Sequence, residues 1–244
     1  MKKIVVSDYD DTFYVNEEDL KRNKEAVKKF REKENLFVIA TGRSYLGIKE
    51  EIKKYNIEYD YLIINHGATI LGKNDTILYN FPLKEEIILN LKKDLEIENQ
   101  NTNDSDNNLE KEKNVYFCYS ELANFVDFES KNITKIGIRY ASSSDASRIN
   151  KKLNATYKEI NAYQVSKNEI EIISKKTDKS KAIQLLADYY SLEKACIVTI
   201  GNGYNDIKMI KDYNGYAMQK SVPEIIEVAK EKVKSVAELI NKII

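Results

Sequence analysis

The sequence predicts an α/β protein, a Rossmann-like parallel sheet flanked by helices, and two features of the chain carry that expectation. Apolar, largely β-branched runs recur at distant positions: Lys3-Ile4-Val5-Val6-Ser7, Asn35-Leu36-Phe37-Val38-Ile39-Ala40 and Ala195-Cys196-Ile197-Val198-Thr199-Ile200. Such runs lack the alternation of a half-exposed strand and suit strands buried on both faces. Each run then passes directly into a cluster of acidic, amide or hydroxyl side chains: Asp8-Tyr9-Asp10-Asp11-Thr12, Thr41-Gly42-Arg43-Ser44 and Gly201-Asn202-Gly203-Tyr204-Asn205-Asp206. Ligands of open α/β sheets bind in the crevice beyond the carboxyl ends of the strands, so three such tips belong to one site. Together they describe a magnesium-dependent phosphoryl-transfer site.

The first strand puts Asp8 at its carboxyl end. If the chain stays extended, Asp8 and Asp10 point to one side and both can converge on a cation and a phosphate. One carboxylate can attack phosphorus and form an aspartyl-phosphate, while the other protonates the leaving oxygen and later activates water. Alone, Asp-x-Asp is equally a pair of solvated turn residues closing a strand. Residues 18–33 follow as a helix, with Leu20, Ala26, Val27 and Phe30 as its apolar stripe.

The second strand ends in Thr41, whose hydroxyl can donate to a phosphoryl oxygen. Gly42 lets backbone N–H groups come close to an anion, and Arg43 can add a charge-assisted contact to substrate. Thr41 could instead cap the helix expected over residues 46–55. Tyr61-Leu62-Ile63-Ile64 is a third core strand, ending at Asn65. His66, the only histidine, precedes Gly67 in a turn and reads as structural or substrate-contacting rather than as a proton-transfer group. Thr69-Ile70-Leu71 and Thr76-Ile77-Leu78-Tyr79 flank Gly72-Lys73-Asn74-Asp75 as a hairpin.

Towards the C-terminus, Ala182, Ile183, Leu185, Leu186 and Tyr189 recur at helical spacing, which puts Lys179 near a helix start. An ammonium fixed there can offset the repulsion between the Asp8 carboxylate and an incoming phosphate. A lysine in a lysine-rich chain is otherwise a surface residue. Beyond the third strand, Asn202, Asn205 and Asp206 offer oxygen ligands of the kind a hard cation such as Mg²⁺ takes, and Gly201 and Gly203 make the turn compact. Helices over residues 223–230 and 236–244 end the chain.

In this order, the segments resemble the motifs of the haloacid dehalogenase superfamily of phosphohydrolases, most closely its Cof-type, type IIB branch with a large inserted α/β cap. Asp-x-Asp-x-Thr is matched by residues 8–12, hydrophobic-Thr-Gly-Arg by 39–43, Lys-Gly-x-Ala-Leu by 179–183 and Gly-Asp-Gly-x-Asn-Asp by 201–206. Further similarity lies in Asn65-His66-Gly67-Ala68, Glu169-Ile170-Glu171-Ile172 and Tyr216-Ala217-Met218. The resemblance implies Asp8 as nucleophile and Asp10 as general acid and base, with Thr41 and Lys179 holding the phosphoryl group. It implies Mg²⁺ held by Asp8, the backbone carbonyl of Asp10, Asn202 and Asp206. Thr41, Gly42, Arg43, Asn65, Lys179 and Asn205 would contact substrate.

The chain departs from the pattern at four places. Asp11 and Ser180 stand where glycine is usual, and Gln219-Lys220-Ser221 replaces Gly-Asn-Ala. Asn202 replaces an aspartate; it keeps an oxygen ligand but not the charge, so Mg²⁺ should bind more weakly. A loss of one to two decades in affinity corresponds to roughly 1.4 to 2.8 kcal/mol.

The pattern changes near Pro82, and residues 83–174 are expected to form the cap, with 1–82 and 175–244 as the core. Within it, residues 85–95 and 144–153 read as helices, and 115–119, 135–140 and 169–173 as strands. Residues 96–113, rich in Asn, Asp and Glu, read as a mobile low-complexity loop. The cap's side chains would choose the substrate.

A chain of 244 residues with 42% apolar residues can build a substantial core. Its 39 basic and 39 acidic residues balance, which argues against a nucleic-acid surface. Cys118 and Cys196 are too few and too distant for a disulfide scaffold or a zinc site. No run reaches a membrane span, and the N-terminus enters a core strand directly, so no signal peptide and a cytoplasmic location are expected. The expected partner is a small phosphorylated metabolite, with the chain a monomer or weak dimer. The reading is thus a Mg²⁺-dependent phosphatase. Its alternatives are a phosphomutase or phosphotransferase sharing the covalent intermediate, and a weakly active or non-catalytic ligand-binding homologue, favoured by Asn202.

Overall fold

A computed structural model describes residues 2–103 and 114–244, with side chains excluded over 96–103. In chain order it begins β1 (Ile4–Ser7), α1 (Glu17–Glu32), β2 (Leu36–Ala40), α2 (Tyr45–Tyr55), β3 (Tyr61–Ile64), β4 (Thr69–Leu71) and β5 (Ile77–Asn80). Then come α3 (Glu85–Asn103), β6 (Val115–Tyr119), β7 (Asn124–Val126), β8 (Lys135–Arg139), α4 (Ser143–Thr156), β9 (Ile160–Ser166) and β10 (Glu169–Ser174). The last part is α5 (Lys179–Tyr189), β11 (Ile197–Gly201), α6 (Ile207–Asp212), β12 (Asn214–Met218), α7 (Pro223–Val228), β13 (Glu231–Val233) and α8 (Val236–Ile243). The chain forms two compact units, one of Met1–Arg43, Gly47–Tyr79 and Thr177–Ile244, the other of Ser44–Leu46 and Asn80–Lys176.

The first unit is the expected α/β architecture. Its sheet runs β13-β12-β11-β1-β2-β3-β4-β5, parallel from β13 to β3 and antiparallel at β3–β4. All residues of β1, β2 and β11 are buried, which is why their sequences run apolar without alternation. Register decides what meets at the tips. Ser7 pairs with Ile200 on one side and Ile39 on the other, so Asp8, Gly201 and the residues after Ile39 emerge side by side. The Asp8 N–H continues the ladder to the Ile200 carbonyl at 2.9 Å.

Local chemistry starts the helices. Asn16 caps α1 by accepting the Asp19 N–H at 2.9 Å, and Glu17, Glu18 and Asp19 place negative charge against the positive end of its dipole. Leu20, Ala26, Val27 and Phe30 are buried as expected, and Asn23 shares their stripe. Its amide donates to the Phe13 carbonyl at 2.9 Å and accepts the Ala237 N–H at 2.8 Å, tying the turn after Asp8 to α1 and α8. Losing such a doubly engaged buried amide would strand two backbone groups, at about 1–3 kcal/mol each.

In the second unit, the sheet is antiparallel throughout, in the order β7-β6-β8-β10-β9, with β8 and β10 buried along most of their length. Ile136, Ile138, Ile170 and Ile172 join Leu91, Leu95, Ile149 and Leu153 of α3 and α4 in one apolar cluster. Lys135 and Glu171, on neighbouring strands, form a buried ion pair.

Several expectations need correction. Helix α3 does not stop at residue 95 but continues to Asn103 into the expected loop; residues 104–113 lie outside the described residues. Polarity alone does not end a helix, because a nucleated helix propagates through Glu, Gln and Asn until Gly, Pro or a competing contact stops it. Strands β7, β9, β12 and β13 were not anticipated. The edge strand β13 carries little apolar signal because it is three residues long with Glu231 and Lys232 exposed, and in β12 Asn214 and Gly215 interrupt the apolar run.

Candidate active site

Asp178 caps α5, its side chain accepting the Lys181 N–H at 2.9 Å, and this fixes Lys179 as the first helical residue. The side chain of Lys179, 1% exposed as a residue, ends between two carboxylates. Its Nζ lies 2.6 Å from Asp8 Oδ1 and 2.6 Å from Asp206 Oδ1. Asp8 is 6% exposed and Asp206 fully buried. The remaining Asp206 oxygen, Oδ2, accepts the backbone N–H groups of Asn202 at 3.0 Å and Gly203 at 3.1 Å. Gly201 is required by space: a Cβ there would stand 2.6 Å from the Asp206 carboxylate.

Electrostatics follow from this geometry. Burial pushes the Asp8 carboxyl up to about 7, the Asp206 charge adds to the rise, and Lys179 opposes it. Burial also works against the Lys179 ammonium, but the Asp206 and Asp8 carboxylates outweigh it and hold its pKa above the ordinary lysine value.

Asp10 does not join this cluster. The expectation of an extended Asp8-Tyr9-Asp10 is corrected by a turn, closed by Phe13 N–H to Asp8 O at 3.2 Å and Tyr14 N–H to Tyr9 O at 2.8 Å. The Asp10 side chain is 51% exposed and pairs with Arg43, whose Nη2 lies 2.8 Å and Nε 3.0 Å from its two oxygens. Arg43 is therefore engaged with Asp10. Asp11 adopts φ 55 in the left-handed region and is exposed, so the residue standing in place of a usual glycine keeps a glycine-like backbone and turns its charge outward.

Thr41 is buried, and its hydroxyl accepts the Arg43 N–H at 3.0 Å, a tight turn preceding α2 rather than a cap on it. Asn65 donates its backbone N–H to Arg43 O at 3.0 Å, and His66 donates its own to Thr41 O at 3.0 Å. These bonds join the second and third strand tips. At Gly42 the His66 ring fills the place of a Cβ, 2.3 Å away, so glycine is required by space. His66 Nδ1 faces the Asn205 amide at 3.1 Å, which ties the third tip to the last. Asn202 Oδ1 accepts the Thr12 hydroxyl at 3.1 Å, linking the first tip to the last.

The other departures also have places. Buried Ser180 donates to Asp212 Oδ2 at 2.5 Å, fastening α5 to α6. Ser221 donates to Gly201 O at 3.2 Å, and Val222 N–H to Asn202 O at 3.0 Å, so the altered loop braces the turn that presents Asn202. Asn23 and Glu51, which holds the Tyr9 hydroxyl at 2.8 Å, are supporting residues that sequence reasoning passed over. Only Asn23 left a signal, as a polar residue on an apolar stripe.

The donors of Asp8, Asn202 and Asp206 are all oxygens, two of them from carboxylates that share a single ammonium. That donor chemistry fits a hard cation. Among the described residues, however, no three acidic, histidine or cysteine side chains gather as a metal-binding group. No helix among the described residues is long and apolar enough to cross a membrane.

Comparison with known proteins finds relatives along the whole chain. A Buchnera aphidicola (Baizongia pistaciae) protein named "Putative phosphatase" is 27% identical over 268 residues, covering 100% of this chain and 98% of its own. Another protein of that name, from Haemophilus influenzae, is 24% identical, covering 94% of this chain and 91% of its own. In fold, the chain is similar to a haloacid dehalogenase-like hydrolase from Bacteroides thetaiotaomicron, with a TM-score of 0.80, 19% identity and 100% coverage of both chains. The haloacid dehalogenase-like hydrolase family matches residues 5–239, from the first core strand to the last helix, and the chain belongs to that family.

Proposed function

We propose that the protein is a Mg²⁺-dependent phosphatase that hydrolyses a small, sugar-phosphate-like metabolite through an aspartyl-phosphate on Asp8. The observation that carries the reading is the buried Lys179 ammonium held between Asp8 and Asp206 at adjacent strand tips. The names of the Buchnera and Haemophilus relatives support phosphate esters as the substrate.

In the proposed reaction an Asp8 carboxylate oxygen forms a bond to phosphorus as the ester P–O bond breaks. The departing oxygen takes the proton of Asp10. The Asp10 carboxylate then removes a proton from water, whose oxygen attacks phosphorus and displaces Asp8, releasing inorganic phosphate. Lys179, with Thr41, holds the phosphoryl oxygens and stabilises their growing charge. Gly42, Asn65 and Asn205 complete the substrate surroundings. Asp8, the Asp10 carbonyl, Asn202 and Asp206 would hold Mg²⁺, which when bound neutralises phosphoryl charge and orients the ester.

The test is phosphate release from a panel of phosphorylated metabolites with Mg²⁺ and with chelator. Asp8→Asn should abolish turnover and leave the fold intact, because an amide cannot form the acyl-phosphate. Undiminished release by that variant would sink the mechanism.

A further inference from the structure

Arg43 is held from three directions. Asp10 takes the Nε and Nη2 edge, with Nε 3.2 Å from Oδ1 and 3.0 Å from Oδ2 and Nη2 2.8 Å from Oδ1. The Gly47 carbonyl accepts from Nη1 at 3.4 Å, and Glu51 Oε1 lies 3.5 Å from the same nitrogen. The Tyr9 ring covers the guanidinium face, its centroid 5.1 Å from Cζ. The Tyr9 hydroxyl in turn donates to Glu51 Oε2 at 2.8 Å. Glu51 therefore divides its two oxygens between the ring that stacks on Arg43 and the guanidinium itself. Tyr9 is fully buried and Glu51 sits one turn beyond Gly47 on α2, so the brace joins a buried ring to a helix.

This arrangement matters because Asp10 lies on a turn and its side chain is half exposed. A carboxyl there, left to itself, would sample several rotamers. A bidentate guanidinium restricts it to one, provided the guanidinium is itself immobile. Glu51 and Tyr9 supply that immobility.

We propose that Glu51, acting with Tyr9, is a positioning residue that fixes Arg43 and, through it, the Asp10 carboxyl that protonates the leaving group. The inference rests on the reading of Asp10 as general acid given above. Arg43 then serves chiefly to orient Asp10 and not to bind substrate, since Asp10, Gly47 and Glu51 occupy both edges of its fork.

The experiment uses leaving groups of different need. p-Nitrophenyl phosphate releases an anion stable without a proton, whereas a sugar phosphate releases an alkoxide that requires one. The sugar phosphate is whichever of glucose 6-phosphate, fructose 6-phosphate, ribose 5-phosphate and erythrose 4-phosphate the parent hydrolyses fastest. kcat/KM reports the step in which the ester bond breaks, so it isolates the proton donation. Glu51→Ala should lower kcat/KM for the sugar phosphate at least about tenfold more than for p-nitrophenyl phosphate, a fraction of the 10²–10⁴ available from general acid catalysis. Tyr9→Phe, which keeps the ring on Arg43 but loses the hydroxyl, should show the same bias more weakly, with a parent-like circular dichroism spectrum and a cooperative melt for Glu51→Ala as the folding control. Asp10→Ala separates the two ideas. If Asp10→Ala shows the leaving-group bias and Glu51→Ala does not, whether it lowers both substrates equally or neither, the positioning role is overturned and the acid assignment stands. If Asp10→Ala itself lowers both substrates equally, the acid assignment fails and the positioning role with it.

Discussion

Lys179 donates to Asp8 and to Asp206 at the same distance, 2.6 Å, so one buried ammonium serves two buried carboxylates. One negative charge remains uncompensated in a region nearly sealed from water, where charge is expensive. That surplus adds to burial in raising the Asp8 pKa, and a bound cation would relieve it.

Removing the ammonium should be costly. Lys179→Met leaves two buried carboxylates facing each other without the ammonium they share, and urea denaturation at pH 8 in chelator should show a loss of about 3–5 kcal/mol. Asp8→Asn in the same background should recover part of that loss. A Lys179→Met protein as stable as the parent would mean the triad is not formed in solution.

The pH dependence of stability has a definite sign at Asp8. Its folded-state pKa is raised from 3.8 to about 7, with burial the largest cause. Between those values the unfolded chain has lost the proton while the metal-free folded protein retains it. The stability associated with this group is therefore fully present below about pH 4 and is lost as pH rises towards 7. In chelator, the advantage of Asp8→Asn over the parent should widen from pH 4 to pH 7 and then level off. A difference that is flat with pH, measured by urea midpoints, would contradict the buried placement of Asp8.

Asn202→Asp should lower the Mg²⁺ concentration for half-maximal activity by about tenfold, equivalent to ~1.4 kcal/mol, because an anionic oxygen replaces a neutral one. The substitution keeps the acceptor for the Thr12 hydroxyl. Superimposable Mg²⁺ titrations of the two proteins would remove position 202 from the proposed metal site.

Asp11 holds φ 55 with no glycine to make that conformation cheap. Asp11→Gly should raise stability by about 1 kcal/mol, reflecting the cost of a left-handed backbone for a residue with a Cβ. Its activity should be close to the parent's, since the Asp11 side chain points to solvent. A lowered Tm would show that the aspartate makes a compensating contact.

The strands that build the site were legible because burial is written locally. A strand covered on both faces has no room for polar side chains, so residues 4–7, 36–40 and 61–64 stand out as apolar runs, and the polar residues just beyond them mark where the sheet ends. The family's motifs could be recognised for the same reason, each lying within one short segment. By itself, then, the sequence determined the α/β class, the central strands and the set of residues at their tips.

Only the tertiary structure decided which of those residues meet. Lys179 reaches Asp8 across 171 positions of chain because β1 pairs with β11 in a register that aligns Ser7 with Ile200, and no local pattern encodes that register. The separation of Asp8 from Asp10, expected side by side, came from a turn that Asn23 secures from α1, and the engagement of Arg43 came from Glu51 and Tyr9 rather than from its own motif. Apolar periodicity reports how deeply a segment is buried, whereas a buried charge is placed by the partners that compensate it, and those partners come from distant parts of the chain.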